Sequence, residues 1–511
     1  MTSSHPRIAI VGGGAAAVSL LDRFSRETGL PPAQITVFEP TRNLWRGRAY
    51  QHDTDAVLVN IPPDHMSATC EPDSFARYLA ERRLPYHTGA WTEPGFFPPR
   101  HVYGSYLEHT AENAVSELWS KGWPVVLIRQ AVTRAERVDG GGLRLTDSAG
   151  RTYGFDHVIC SVGPGIPADH YGLAGAPGFV ADPYPLAEKV RMISPDASVT
   201  VIGTGLAAVD CVVALAAAGH TGPVTMVSRN GCLPAVRQRP VDPPNDHFTP
   251  DAVHRLARES VDRRIGLDQV FALLAQELSD LGADPAKVVA EIESADHEDP
   301  VTRLRRHYAE LDDPDLGMRV MQNSVPTTGP DAWPLLRERD QETVRARHYR
   351  AIMSLCCPMP PHNARTLLSL IDEGRLRVRS GLRSVAARPE GGGLLVTTAY
   401  ESFGTDTVIN AVSAPGHRIP ERAEGLIADL VEQGIAAHHP AGGLDIVPTT
   451  SALRGTGQEH GAGQAYAIGD ISGGALFFTS GMISVVDRAH DIVTAVSDLV
   501  RTRRATLSDA A

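Results

Sequence analysis

A chain of 511 residues exceeds one ordinary domain, so two or three are expected. At 42% hydrophobic, 21% charged and 6% aromatic residues it falls in the globular range, and its 47 glycines follow no period, which excludes a collagen-like fibre. A net charge of −12 argues against a nucleic-acid partner, which calls for a basic stripe.

The first residues show no succession of basic segment, apolar core and cleavage site. The longest nearly apolar run, Leu206 to Gly219, contains Asp210 and is too short to span a bilayer. The expectation is a cytoplasmic protein with no membrane contact. Six cysteines (Cys70, Cys160, Cys211, Cys232, Cys356, Cys357) include no C-x-x-C, which removes zinc-ribbon and dithiol readings, and no metal is expected.

In chain order, the apolar run Arg7–Val11 leads into Gly12-Gly13-Gly14-Ala15-Ala16-Ala17, a helical stretch to about Arg26, and a second strand at Ile35–Phe38. Ser198–Ile202 repeats the arrangement through Gly203-Thr204-Gly205-Leu206-Ala207-Ala208, a helix to about Gly219 and a strand at Val224–Val227. Strands are expected at Leu143–Leu145 and Thr152–Ser161. Residues 241–350 have helical spacing, are broken by Pro285, Pro300 and Pro314, and read as a mostly helical insertion. Strands return at Leu376–Arg379, Leu394–Thr398 and Thr407–Ala411; a helix follows over Thr479–Arg501, with fraying after Arg504. Two strand–turn–helix–strand units make this an α/β chain with two Rossmann-type dinucleotide-binding domains.

The two turns carry the chemistry. In Gly12-x-Gly14-x-x-Ala17 the first glycine permits the tight turn and the second lets backbone approach a pyrophosphate. Ala17 is small enough for helix and strand to pack closely, and the helix start, with Ala15, offers N–H groups to phosphate. Glu39 ends the second strand, where an acid holds both hydroxyls of an adenosine ribose. Gly203-x-Gly205-x-x-Ala208, with Leu206 opening its helix, repeats the geometry but ends its second strand in Ser228-Arg229. An acid there would repel a 2′-phosphate, whereas Ser and Arg bind one; NADPH is therefore expected over NADH, the alternative being a solvated Arg229.

Near the C-terminus, Ala465–Ile468 leads into Gly469-Asp470-Ile471-Ser472-Gly473-Gly474 and then a helix from about Thr479. Alone, Gly-Asp marks a turn; as the third element in this order it resembles the segment with which two-dinucleotide-binding-domain flavoproteins hold FAD. Two further stretches are similar to that family: Gly47-Arg48-Ala49-Tyr50 leading to Asn60-Ile61-Pro62-Pro63-Asp64-His65-Met66-Ser67, and Pro98-Pro99-Arg100-His101-Val102-Tyr103-Gly104-Ser105-Tyr106-Leu107. The resemblance is to bacterial FAD/NAD(P)-binding flavoproteins related to class B N-hydroxylating monooxygenases, whose members include enzymes that turn aspartate into nitrosuccinate. It extends over roughly 1–170, 195–232 and 465–500.

The resemblance implies that Asp470 accepts from the ribityl chain of FAD, that the helix near Thr479 faces the flavin ring, and that Arg48, Met66, Val132 and Gly163 line the same cofactor. Asn60 and Ser67 would donate orienting hydrogen bonds and His65 would carry protons. The division it implies is 1–190 and 416–511 for the FAD domain, 191–240 and 351–415 for the NADPH domain, and 241–350 for the substrate region. The implied activity is an FAD-dependent, NADPH- and O2-using monooxygenase that hydroxylates the amine of a small amino acid, aspartate being the first guess, in natural-product biosynthesis. A flavin reductase that oxygenates nothing is the alternative, since no F-x-G-x-x-x-H signature is present.

For a carboxylate-bearing substrate, Arg305, Arg306, Arg350 and Arg418 lie in the right broad regions. The segment Cys357-Pro358-Met359-Pro360-Pro361 is either a shaped loop near the cofactors or a plain connector. Homo-oligomerisation is left open.

Overall fold

The computed structural model describes residues 5–138, 141–388, 392–412, 419–456, 465–479 and 481–509, with backbone alone from 503. Arg7–Val11 is a nearly uniform apolar run, and Ile8, Ala9 and Ile10 are fully buried, as a central parallel strand covered on both faces requires. It pairs in parallel with Gln34–Phe38 on one side and His157–Cys160 on the other; Val125–Ile128 and Ala465–Ala467 complete a five-stranded sheet. The helices Ala15–Ser25, Arg100–Ser120 and Met482–Asp509 share one core, to which Phe24, Leu107 and Ile492 belong. The last helix thus continues past Arg504.

The second sheet is built the same way: Val199–Ile202 lies between Val224–Val227 and Thr407–Asn410, with Leu376–Arg379 and Phe179–Val180 at the edges. Phe179–Val180 belongs to this sheet, so the chain crosses to the second unit before residue 190. Each unit also carries a three-stranded antiparallel sheet: Val132–Arg137, Leu143–Asp147 and Thr152–Phe155 in one, Leu382–Ala387, Leu394–Thr398 and Ser402–Thr405 in the other. Both carry an irregularity early in the first strand, at Val132/Arg134 and at Leu382/Ser384. Periodicity reads Thr152–Ser161 as one strand, whereas its two halves join different sheets, because the chain turns at Asp156.

The insertion is helical, from Pro250–Glu259 through Leu267–Asp280, Pro285–Ser294, Pro300–Ala309 and Gly317–Ala332 to Tyr349–Cys356. Pro285 and Pro300 start helices here, at positions where the missing N–H costs nothing, and Asp284 and Asp299 cap them by accepting from Ala286 N and Thr302 N. Among the described residues no helix is long and apolar enough to cross a membrane.

One buried cluster ties the insertion together. The Glu291 carboxylate accepts from His307 Nε2 at 2.9 Å and from Arg303 Nε at 2.9 Å, and it pairs with Arg306 Nη1 at 2.8 Å. Burial alone would raise its pKa, but the His307 hydrogen bond and the two guanidinium groups outweigh it and hold the acid at about 2. A depressed acid stabilises the fold above its unfolded value near 4.5 and loses that contribution as the pH falls toward 2. Glu291→Gln is expected to cost about 3 kcal/mol at pH 7 in urea titrations, with the gap to the unaltered protein narrowing steadily between pH 4.5 and 2.5.

Candidate functional site

The two glycine turns are superposable in their constraints. Gly12 has φ +109°, and a Cβ on it would lie 2.3 Å from the Ser161 carbonyl oxygen; Gly203 has φ +120°, and a Cβ would lie 2.7 Å from the Ala411 carbonyl oxygen. Both are therefore demanded by the fold. Gly14 and Gly205 are not: their φ values are −93° and −79°, and the nearest atom to a Cβ on Gly14 is Gly47 Cα at 3.6 Å, while around Gly205 there is none within 4 Å. Neither helix start has a side-chain cap, so the first N–H groups of Ala15–Ser25 and Leu206–Ala217 are left for a phosphate. Ala17 and Ala208 are fully buried against their strands.

Glu39 is positioned by the loops on either side of it: Oε2 accepts from Gly13 N at 2.9 Å and Oε1 from Thr41 N at 2.8 Å, which presents the carboxylate edge beside the first turn. Ser228 accepts from Gly231 N at 2.8 Å and lies 3.0 Å from the Thr204 hydroxyl, closing a turn, while Arg229 is exposed. Arg48 pairs with Asp182 across the two units and stacks on Tyr184 at 4.9 Å. Val132 is buried at the start of its strand, and Gly163, at φ +71°, has no protein atom within 4 Å of a Cβ position. Asp470 follows Gly469 (φ +84°) at the end of Ala465–Ala467, and burial pushes its carboxyl up to about 6. Thr479 is buried between the short helix Gly473–Leu476 and the last helix, which begins at Met482 and not at Thr479.

Between the two units and the insertion lies a cavity of about 370 Å³. Tyr50, Asn60, His65 and Met66 of the first unit form one wall, and Leu206, which opens the helix of the second turn, lies on another. Arg237, Asn245, Gln322 and Asn323 come from the insertion side, Cys356 from the end of the helix Tyr349–Cys356, Cys357 from the proline-rich loop, and Phe478 and Met482 from the C-terminal segment. His65 Nε2 is 3.2 Å from Asp242 at the mouth. The proline-rich segment is a shaped loop: Met359 pairs with Ala235 and Arg237 through the backbone, and Pro358 O lies 3.4 Å from Asn60 Nδ2. Burial pushes the Cys357 thiol up to about 11 and raises the Cys356 thiol well above its ordinary value, so both behave as apolar lining.

Four of the expected residues lie away from this cavity. The Ser67 hydroxyl does not border this cavity; it bonds Thr69 and Ser74 in a cluster under Tyr106. Arg305 pairs with Asp372 and Arg350 with Asp296, 3.4 Å away, both on the outer surface, and Arg306 serves Glu291 and Glu298. Helix packing turns all three away from the cavity, and Arg418 lies outside the described residues. The arginine that does reach the cavity, Arg237, carries no motif; its only local signal is that it follows shortly after Ser228-Arg229.

Residues 9–165 match the model of a family described as FAD-NAD(P)-binding. No curated protein matches the chain. Among solved structures it is similar to an ornithine N-hydroxylase of Kutzneria sp. 744 (15% identity, 98% of this chain and 100% of that one, TM-score 0.54). It is also similar to L-lysine 6-monooxygenase of Pseudomonas syringae (15%, 97% and 99%, 0.57). A third likeness is to the FAD-bound cadaverine monooxygenase of desferrioxamine biosynthesis in Erwinia amylovora (12%, 97% and 95%, 0.55). At these identities the likeness is one of fold.

The glycine geometry separates folding from binding. Gly12→Val should fail to accumulate as folded protein. Gly14→Val should fold but purify without FAD, and Gly205→Val should keep FAD yet bind NADPH at least ~10-fold more weakly. A yellow Gly14→Val protein would remove the first turn from the cofactor site.

Proposed function

We propose that the chain is an FAD-dependent monooxygenase that uses NADPH and O2 to hydroxylate the amine of a small amino acid, an acidic one such as aspartate before a basic one, in natural-product biosynthesis. The observation that supports this best is the cavity that brings Asn60, His65 and Met66 of the first unit together with Leu206, which opens the helix of the second glycine turn, and with Arg237. The overall conversion is R–NH2 + O2 + NADPH + H+ to R–NHOH + NADP+ + H2O.

The flavin, when bound, supplies the redox and oxygen chemistry. The chain's own residues bind, orient and exclude water. Ala15 and Leu206 open uncapped helices toward the two pyrophosphates, Glu39 holds the first ribose, and Arg229 reaches a 2′-phosphate. Ile61, Met66, Met353, Phe478 and Met482 give the cavity its apolar lining. His65, half-exposed at the mouth beside Asp242, carries protons between cavity and solvent.

Anaerobic NADPH should bleach the yellow protein, and in air an amino acid should accelerate NADPH consumption with formation of its hydroxylamine. Bleaching and reoxidation indifferent to every amine would make the protein a reductase. Arg229→Ala should narrow the preference for NADPH over NADH by about 1.5–3 kcal/mol, measured as the ratio of kcat/KM values.

A further inference from the structure

Arg237 is set apart from the other arginines described above. It is 5% exposed, yet no acid neutralises it: no carboxylate among the described residues pairs with its guanidinium. Nε donates to the Asn60 carbonyl at 2.8 Å and Nη1 lies 3.4 Å from Asn323 Oδ1, while Nη2 has no hydrogen-bond partner among the described residues. Burial without a counter-charge draws its pKa down to about 10, so it stays charged at neutral pH. Removing a cation from water without a partner is costly unless an anion completes it.

The rest of the wall points the same way. Among the described lining residues the only acid is Asp242, whose side chain is 77% exposed and already pairs with His65. Gln322 donates to the Val236 carbonyl and accepts from Gln238 N, and Asn323 donates to the Val241 carbonyl, so the amides brace the loop that carries Arg237. The backbone of Arg237 is fixed as well, its N–H donating to the Met359 carbonyl at 2.9 Å. A rigid, uncompensated guanidinium in an otherwise acid-free cavity wall favours an anionic group and disfavours a second ammonium.

We infer that Arg237 is a specificity-determining residue that binds a carboxylate of the substrate, which makes the substrate an amino carboxylic acid and excludes a bare diamine. The inference rests on the cavity being the substrate site, as proposed above. It places this chain with carboxylate-bearing amines and apart from the cadaverine type of its fold neighbours.

The test is binding of succinate, a dicarboxylate without an amine, to the FAD-loaded protein by calorimetry, beside turnover of L-aspartate, L-ornithine and cadaverine. Succinate should bind, compete with the amino acid, and lose about 10- to 100-fold in affinity in Arg237→Gln, with part restored in Arg237→Lys. Unchanged succinate affinity in Arg237→Gln, or a variant whose loss falls on NADPH binding alone, would overturn the assignment. If the variant does not fold, the unaltered protein decides: cadaverine turned over as well as the amino acids overturns it, and cadaverine rejected with succinate bound supports it. Succinate bound through Arg237 with no oxygenated product from any amine would leave this inference standing and remove the hydroxylase reading.

Discussion

The buried ion pair between Arg100 and Asp210 holds the arrangement on which the rest depends. Arg100 opens the helix Arg100–Ser120 of the first unit, and its Nη1 lies 2.8 Å from Asp210 Oδ2 on the helix Leu206–Ala217 of the second. Tyr184 donates its hydroxyl to the same carboxylate. Burial pushes the Asp210 carboxyl up and Arg100 opposes this. Such a pair is poorly repaid by Coulomb energy alone, but separating the partners leaves a bare charge in the interior, so the two units are held to one relative position.

That position makes the cavity. Arg100 Nε also donates to the Leu58 carbonyl at 3.0 Å, two residues before Asn60, so the clamp between units also holds the segment that carries Asn60 into the cavity wall. Asp53 adds to it by accepting from Leu186 N and Ala187 N across the same boundary. The Asn60 carbonyl then receives Arg237, and the amide of Asn60 lies beside Pro358. Interdomain electrostatics thus reach the cavity through backbone carbonyls of one short segment.

The insertion closes the remaining side. Trp333 meets Phe477 with ring centroids 4.4 Å apart, and Phe477 in turn meets Phe478, a cavity residue, at 4.7 Å. Phe477 sits at φ +68°, a conformation a bulky side chain adopts only where its surroundings over-determine it; here an aromatic cluster with Tyr349 does so. The C-terminal segment of the first unit is in this way locked to helices far from it in the chain.

Both glycine turns, their flanking strands, Glu39, Ser228-Arg229 and the helical character of 241–350 were legible in the sequence, because each rests on contacts within a few residues: a positive φ, a helix start, a period of apolar side chains. The antiparallel strand Leu382–Ala387, the membership of Phe179–Val180 in the second sheet and the division of Thr152–Ser161 were not, since pairing partners are remote. Among 45 arginines only tertiary packing could separate Arg305 and Arg350, neutralised by surface acids, from Arg237, buried with none. Local backbone geometry is written in neighbouring residues; which charge is left uncompensated in the interior depends on every element that packs around it.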